Sequence, residues 1–232
     1  MTQIDDSKAQ LGLPRSGRLA LVTGVLVVVG AALAFTFAYL ISYPSTVVAA
    51  ATASDTVVLQ SVGAIGLGNH PTWVSYMAQE NGNWVHSTVL TVPANSDVHF
   101  KIYQYDSGSP LRNPYMDQVA GTVGGTETLN GQVVRIVNDN ADGGIGHTFA
   151  IPSLGVYVPM PGISSLQTNA CSTPVPCATT FDHNTVEFTI HTGAPGTFTW
   201  QCFVPCGLGF LIGNGGPMST FGYMGGYLKV VA

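Results

Sequence analysis

An all-β, Greek-key β-sandwich carried on one N-terminal transmembrane helix is the architecture this sequence predicts. Three observations predict it. From Thr56 onward apolar residues recur with a period of two, as in half-buried strands, and not with the 3.6 of a helix. Turn formers are dense, with 28 Gly and 14 Pro in 232 residues, and they punctuate short segments rich in Thr, Val and Tyr. Charged residues are only 8% of the chain, against roughly 25% in an average soluble domain.

The helix comes first. Residues 19–42 carry no charge over 24 positions, and roughly 20 apolar helical residues cross a bilayer core. Lys8, Arg15 and Arg18 precede the run, and the next charge is Asp55. Basic residues stay on the cytoplasmic side, so the N-terminus is expected inside and the remainder outside. Ala49-Ala50-Ala51 and Ala51-Thr52-Ala53 match the small-residue pattern of a cleavage site. The apolar run, however, is much longer than the ~7–15 residues of a signal peptide's apolar region, and those sites lie well past its end. The expectation is a retained single-pass anchor in the cell membrane. The chain then divides into a cytoplasmic tail (1–18), the transmembrane helix (19–42), a linker (43–55) and an outer domain (56–232). The formal net charge of −5, with nothing basic clustered outside the N-terminus, excludes nucleic acid as a partner.

Within the outer domain, residues 57–62 read as the first strand. Residues 73–82 read as either a short helix or a loop. Residues 85–93 form a strand that ends at proline. Residues 98–103 alternate cleanly, with Val98, Phe100 and Ile102 inward and His99 and Lys101 outward. Residues 107–114 are a turn by their punctuators, 132–138 a strand, and 139–146 a turn cluster. Residues 147–151 and 155–158 are extended. Residues 161–180 form an irregular insertion that holds Cys171 and Cys177. Residues 186–191 and 196–200 read as a hairpin around Thr192-Gly193-Ala194-Pro195, and 226–231 is the closing strand. Seven to nine strands result.

The chemistry concentrates in two distant segments. One is Gly146-His147-Thr148-Phe149. The other is Gln201-Cys202-Phe203-Val204-Pro205-Cys206-Gly207, followed by a Gly-rich loop and by Met218 and Met224. Imidazole, thiolate and a weak thioether are the donors of soft copper sites. A sandwich can supply the imidazole from an inner strand and the sulfurs from the loop before its last strand. This arrangement resembles the cupredoxin fold. More narrowly, it resembles the outer domain of cytochrome c oxidase subunit II, where a Gln-Cys-x-x-x-Cys-Gly loop holds a dinuclear copper centre. The resemblance covers about residues 85–232 and is sharp only around the two segments. It implies copper as the cofactor, with His147, Cys202 and Cys206 as ligands and Met224 as the weak thioether, Met218 being its alternative. It also implies electron transfer, not catalysis by this chain alone, with other subunits of a haem-copper oxidase or a redox carrier protein as partners.

The chain departs from that family in two ways. Phe210 stands four residues after Cys206, where the family has its second histidine, and no histidine follows His191. The family commonly has two membrane helices, and this chain has one. The resemblance therefore implies an altered or vacated copper site.

The cysteine pair has two readings. With His147 and a methionine it forms a site that favours Cu(I) by softness. Alternatively Cys202 and Cys206 are oxidised to a disulfide, the usual fate of exported cysteines. Cys171 and Cys177, with Pro174 and Pro176 between them, read as a structural disulfide. His191, at a strand end, is a weak substitute for the missing imidazole, because ligands gather at one end of a sandwich. His70, His86, His99 and His183 are expected at the surface, and Trp73 and Trp84 in packing. There is no G-x-S-x-G, no H-E-x-x-H and no Gly-rich loop between strand and helix. Three functions remain: copper electron transfer, a metal-free structural or interaction subunit of a respiratory membrane complex, and copper delivery.

Overall fold

The structure, a computed structural model, describes residues 15–41, 53–66, 70–137, 144–163, 168–171, 175–207 and 216–232. The chain divides into two units, Met1–Pro44 and Ser45–Ala232. In the first, helix α1 (Arg15–Ile41) begins four residues before the uncharged run. Leu21, Val25, Leu26, Val28, Leu33 and Phe35 are all exposed on it, so its apolar residues are not confined to one face. It is long and apolar enough to cross a membrane, a property shared by anchors and signal sequences.

The second unit is a two-sheet Greek-key β-sandwich. Its strands are β1 (Thr56–Val62), β2 (Ser75–Glu80), β3 (Asn83–Val85), β4 (Val89–Pro93), β5 (Asp97–Gln104), β6 (Glu127–Leu129), β7 (Gln132–Val134), β8 (Ile145–Ile151), β9 (Val156–Pro161), β10 (Asn184–His191), β11 (Gly196–Gln201) and β12 (Gly225–Val231). One sheet has the order β3-β2-β1-β5-β10-β6-β7 and the other β4-β12-β11-β8-β9. Pairing is antiparallel except between β1 and β5 and between β4 and β12. As expected from the alternation, Val98, Phe100 and Ile102 of β5 are fully buried.

Aromatic rings fill the space between the sheets. Phe100 stacks on Phe188 at 5.0 Å between centroids, and Phe149 stacks on Trp200 at the same distance. The Trp200 Nε1–H donates to the Thr88 carbonyl at 3.1 Å, which satisfies its one polar atom. Trp200→Ala is expected to lower stability by about 4 kcal/mol through the cavity it leaves, measured as a lower urea midpoint.

The described residues hold twelve strands against the seven to nine expected, the strand expected over 85–93 is split between β3 and β4, and three further elements differ from the sequence expectations. The ambiguous segment 73–82 contains strand β2. It shows no alternation because both of its faces are covered. Tyr76 and Ala78 face the main core, while Met77 packs with Ile65 and Tyr223 in a separate cluster that Trp73 and Trp84 abut. Strands β6 and β7 form a short hairpin whose turn is Asn130-Gly131, with φ of 49° and 85°. Positive φ at both central residues is what makes Asn-Gly a hairpin signal.

The expected hairpin of residues 186–200 does not form. β10 pairs with β5 and β6, whereas β11 pairs with β12 and β8 in the other sheet. The connection is an arch between sheets, pinned by the buried Thr192. Its N–H donates to the Ser96 carbonyl at 2.8 Å, and its hydroxyl donates to the Pro93 carbonyl at 2.7 Å. The turn residues bond to the β4–β5 loop and not across a hairpin.

The insertion closes through the Cys171–Cys177 disulfide, as expected. Elsewhere in the core, Glu127 is 1% exposed, and neither carboxylate oxygen has a hydrogen-bond partner. Burial pushes its pKa up from 4.5 to about 8. Because the folded state holds this proton more tightly than the unfolded chain, the associated stability is complete below the unfolded pKa. It declines as pH rises and is gone above about 8. Glu127→Gln should therefore flatten the fall in urea midpoint between pH 5 and pH 8.5, an interval over which the unaltered chain loses on the order of a few kcal/mol. Equal slopes in the two proteins would contradict this account.

Candidate metal centre

Strand β8 is buried along its whole length, so every residue on it meets other protein atoms. Ile145 pairs with Pro161 and His147 with Met160, which leaves Gly146 as an extra residue in β8. Such a bulge re-aims the next side chain, here His147. Gly146 has a second requirement. A Cβ on it would overlap Gln104 Nε2 and approach the Ser107 carbonyl at 3.0 Å.

The sulfurs arrive from the segment after β11. The Cys202 N–H donates to the Met224 carbonyl at 2.8 Å, which fixes this segment to the entry of β12. Thr148 stitches it to β8. The Phe203 N–H donates to Thr148 Oγ1 at 2.8 Å, and the Thr148 N–H donates to Cys202 Sγ at 3.3 Å.

These restraints bring three donor atoms together. His147 Nδ1 lies 3.0 Å from Cys206 Sγ and 4.0 Å from Cys202 Sγ, and the two sulfurs are 3.5 Å apart. A point equidistant from all three lies ~2.1 Å from each, against roughly 2.0–2.3 Å for nitrogen and sulfur bonds to a first-row metal. His147, Cys202 and Cys206 are the one such cluster of His, Cys and acidic ligand atoms among the described residues, and all three are buried. The Val204 carbonyl lies 3.0 Å from Cys206 Sγ, so a backbone oxygen also faces the centre.

The electrostatics favour one thiolate. Burial pushes the Cys202 thiol up, but hydrogen bonds from Cys206, His147 and the Thr148 N–H outweigh it and hold Cys202 well below the ordinary thiol range. Cys206 moves the opposite way, raised by its bond to Cys202 and by burial. Burial lowers the pKa of His147, yet Asp106 and Cys202 raise it on balance to about 9. These directions favour an imidazolium at His147 beside a thiolate at Cys202 and an ionised Asp106. Asp106 Oδ2 is 3.3 Å from His147 Nε2. This is ion-pair distance, and no other acceptor reaches Nε2. A metal ion would displace the Nδ1 proton, as soft-metal sites require deprotonated ligands.

The sequence-derived residues are placed as follows. His147, Cys202 and Cys206 converge, and the last two are not disulfide-bonded to each other. Met224 is fully buried in the same core cluster, and Met218 packs partly buried against it. Phe210 lies outside the described residues. His191 cannot stand in for an imidazole here. It pairs with Asp97 at 2.8 Å, where β5 begins, and both side chains are 64% exposed. The centre lies beyond the other end of β5, roughly 20 Å away at ~3.3 Å per residue. His86 corrects the expectation of a surface histidine. It is 6% exposed, and its Nε2 is 3.1 Å from Ser75 Oγ. Sequence reasoning missed Asp106, Gln104 and Thr148. A lone acidic residue after a strand carries no signal of its own, and only the fold reveals their convergence on His147.

No protein-family model matches the chain, and no curated protein matches its sequence. Among solved structures, it is similar to a crystal structure of a methionine-to-glutamine mutant of rusticyanin. Identity is 15%, over 86% of this chain and 94% of that one, with a TM-score of 0.32. At that score the likeness decides nothing about the centre.

Proposed function

We propose that this chain is a membrane-anchored, cupredoxin-like copper protein that transfers electrons, with its outer domain holding one copper ion on His147, Cys202 and Cys206. The observation that carries the proposal is the convergence of one imidazole nitrogen and two sulfurs around a point of metal-bond radius. Met224, whose peptide meets Cys202, is the candidate weak thioether, with Met218 as its alternative. Copper in such a site supplies one-electron chemistry between Cu(I) and Cu(II). The chain's own residues do the rest. The core walls exclude water, and the Thr148 N–H withdraws charge from the Cys202 sulfur, a lever on redox potential. His147 on β8 and the cysteine segment that Thr148 and Met224 hold in place would limit rearrangement when the electron moves. Helix α1 serves as the single-pass anchor with the N-terminus cytoplasmic. The resemblance of the cysteine loop to that of oxidase subunit II supports a role as a subunit-II-like electron carrier of a haem-copper oxidase.

The test is the metal content and absorption spectrum of the reduced full chain in detergent after reconstitution with copper. About one copper per chain and a thiolate-to-copper band are expected. A second reading is copper delivery, favoured by the absence of any histidine after His191, since a site short of one imidazole releases metal more readily. Transfer of Cu(I) to an acceptor chelator faster than electron exchange would favour it. No bound copper, with Cys202 and Cys206 titrating as a disulfide, would leave the metal-free structural subunit.

A further inference from the structure

Gln104 is a fully buried glutamine at the end of β5. Its carboxamide grips the Asp106 backbone at both ends. Oε1 accepts the Asp106 N–H at 2.7 Å, and Nε2 donates to the Asp106 carbonyl at 2.8 Å. The Ser61 hydroxyl donates to the same Oε1 at 3.0 Å, and the Ile163 N–H donates to the Asp106 carbonyl at 2.9 Å. The carboxylate is oriented in turn, since Oδ1 accepts the Ser107 N–H at 2.8 Å. Oδ2 is left facing His147 Nε2. Two glycines make room for this assembly. A Cβ on Gly63 would come within 3.2 Å of Asp106 Oδ1, and one on Gly146 would overlap the Gln104 amide.

We propose that Asp106 is the positioning residue of the candidate copper centre. Clamped by Gln104, it holds the His147 imidazole by Nε2 so that Nδ1 is presented to the two sulfurs. The proposal rests on the copper reading of the site. The ring is bracketed along one axis, with Asp106 at Nε2 and Cys206 and Cys202 at Nδ1. A half-turn of the ring about Cβ–Cγ would exchange Nδ1 with the Cδ2 carbon, so that carbon and not nitrogen would face the sulfurs. With Asp106 removed, Nε2 is buried without an acceptor, and only the two sulfurs at Nδ1 are left to distinguish the orientations. Ligand-orienting carboxylates of this kind are typically worth 10–100-fold in metal affinity.

The experiment uses the full chain in detergent, with Asp106→Ala and Asp106→Asn variants. Copper(I) affinity is measured by competition with a chromophoric chelator. Asp106→Ala is expected to weaken binding by roughly 10–100-fold. Asp106→Asn keeps an oxygen acceptor in the same place and is expected to recover most of the loss. The second readout needs no metal. Nitrogen-15 spectra of the reduced, copper-free chain should show a slowly exchanging His147 Nε2–H in the unaltered protein and in Asp106→Asn, and not in Asp106→Ala. Affinity within twofold of the unaltered chain together with an unchanged imidazole signal in Asp106→Ala would overturn the proposal. If the unaltered chain takes no copper, the copper reading fails. The imidazole signal then decides by itself whether Asp106 holds His147.

Discussion

Cys202→Ser is expected to abolish the thiolate-to-copper absorption band and to weaken copper binding by a thousandfold or more, about 4 kcal/mol. His147→Ala is expected to do the same. Serine keeps the size of the side chain and can accept the Thr148 N–H that now reaches Cys202 Sγ at 3.3 Å, so the sandwich should survive. What it lacks is a soft, readily ionised donor, and the hydroxyl stays protonated where the thiol does not. Cys202 is also the sulfur that its neighbours stabilise as the thiolate. Removing it takes away the charge that balances the metal. His147→Ala removes the only nitrogen of the cluster. Persistence of the band in both variants would mean that the copper has other ligands.

The second large effect is expected at a residue that touches no metal. Gly146→Ala places a methyl group against the Gln104 amide, with the Ser107 carbonyl and Gly162 Cα close behind. The amide cannot swing away without giving up its bond to the Asp106 carbonyl. Overpacking costs ~1–3 kcal/mol, and an unmade buried hydrogen bond adds ~1–3 kcal/mol. A loss of about 4 kcal/mol in unfolding free energy is therefore expected, with at least tenfold weaker copper binding because the clamp behind His147 is broken. Shortening the obstructing side chain tests the cause. Gly146→Ala combined with Gln104→Ala should be more stable than the sum of the two single changes predicts, since neighbours in contact are not additive. A single-variant cost below 1 kcal/mol would refute the steric account.

The parts of the fold legible in the sequence were those with one wet face. β5 alternates because Val98, Phe100 and Ile102 face the core while His99 and Lys101 face outward. β2 was ambiguous because Met77 is buried as completely as Tyr76, and a strand covered on both sides has no period to detect. The hairpin expected at residues 192–195 failed for a different reason. Its turn residues were correctly recognised as a chain reversal, but Thr192 bonds to residues 93 and 96, a long-range choice with no local signature. The Asn130-Gly131 turn does carry a local signature, positive φ at both central residues. At the centre, the convergence of His147, Cys202 and Cys206 was legible through the resemblance of the Gln-Cys-x-x-x-Cys-Gly segment to a copper loop. Asp106 was not, since its role depends on Gln104 and on the space left by Gly63 and Gly146.

The position of β12 has a kinetic consequence. It lies between β11 and β4, and β4 is an edge strand whose one neighbour in its sheet is β12. Val89 faces Tyr227, so an early segment must wait for one synthesised much later. Pairings so distant in sequence are slow to form. Until β12 docks, the Met224 carbonyl that anchors Cys202 is not in place, and both thiols remain open to whatever reaches them first. On the copper reading, capture of the metal would compete with disulfide formation during folding, before β12 docks.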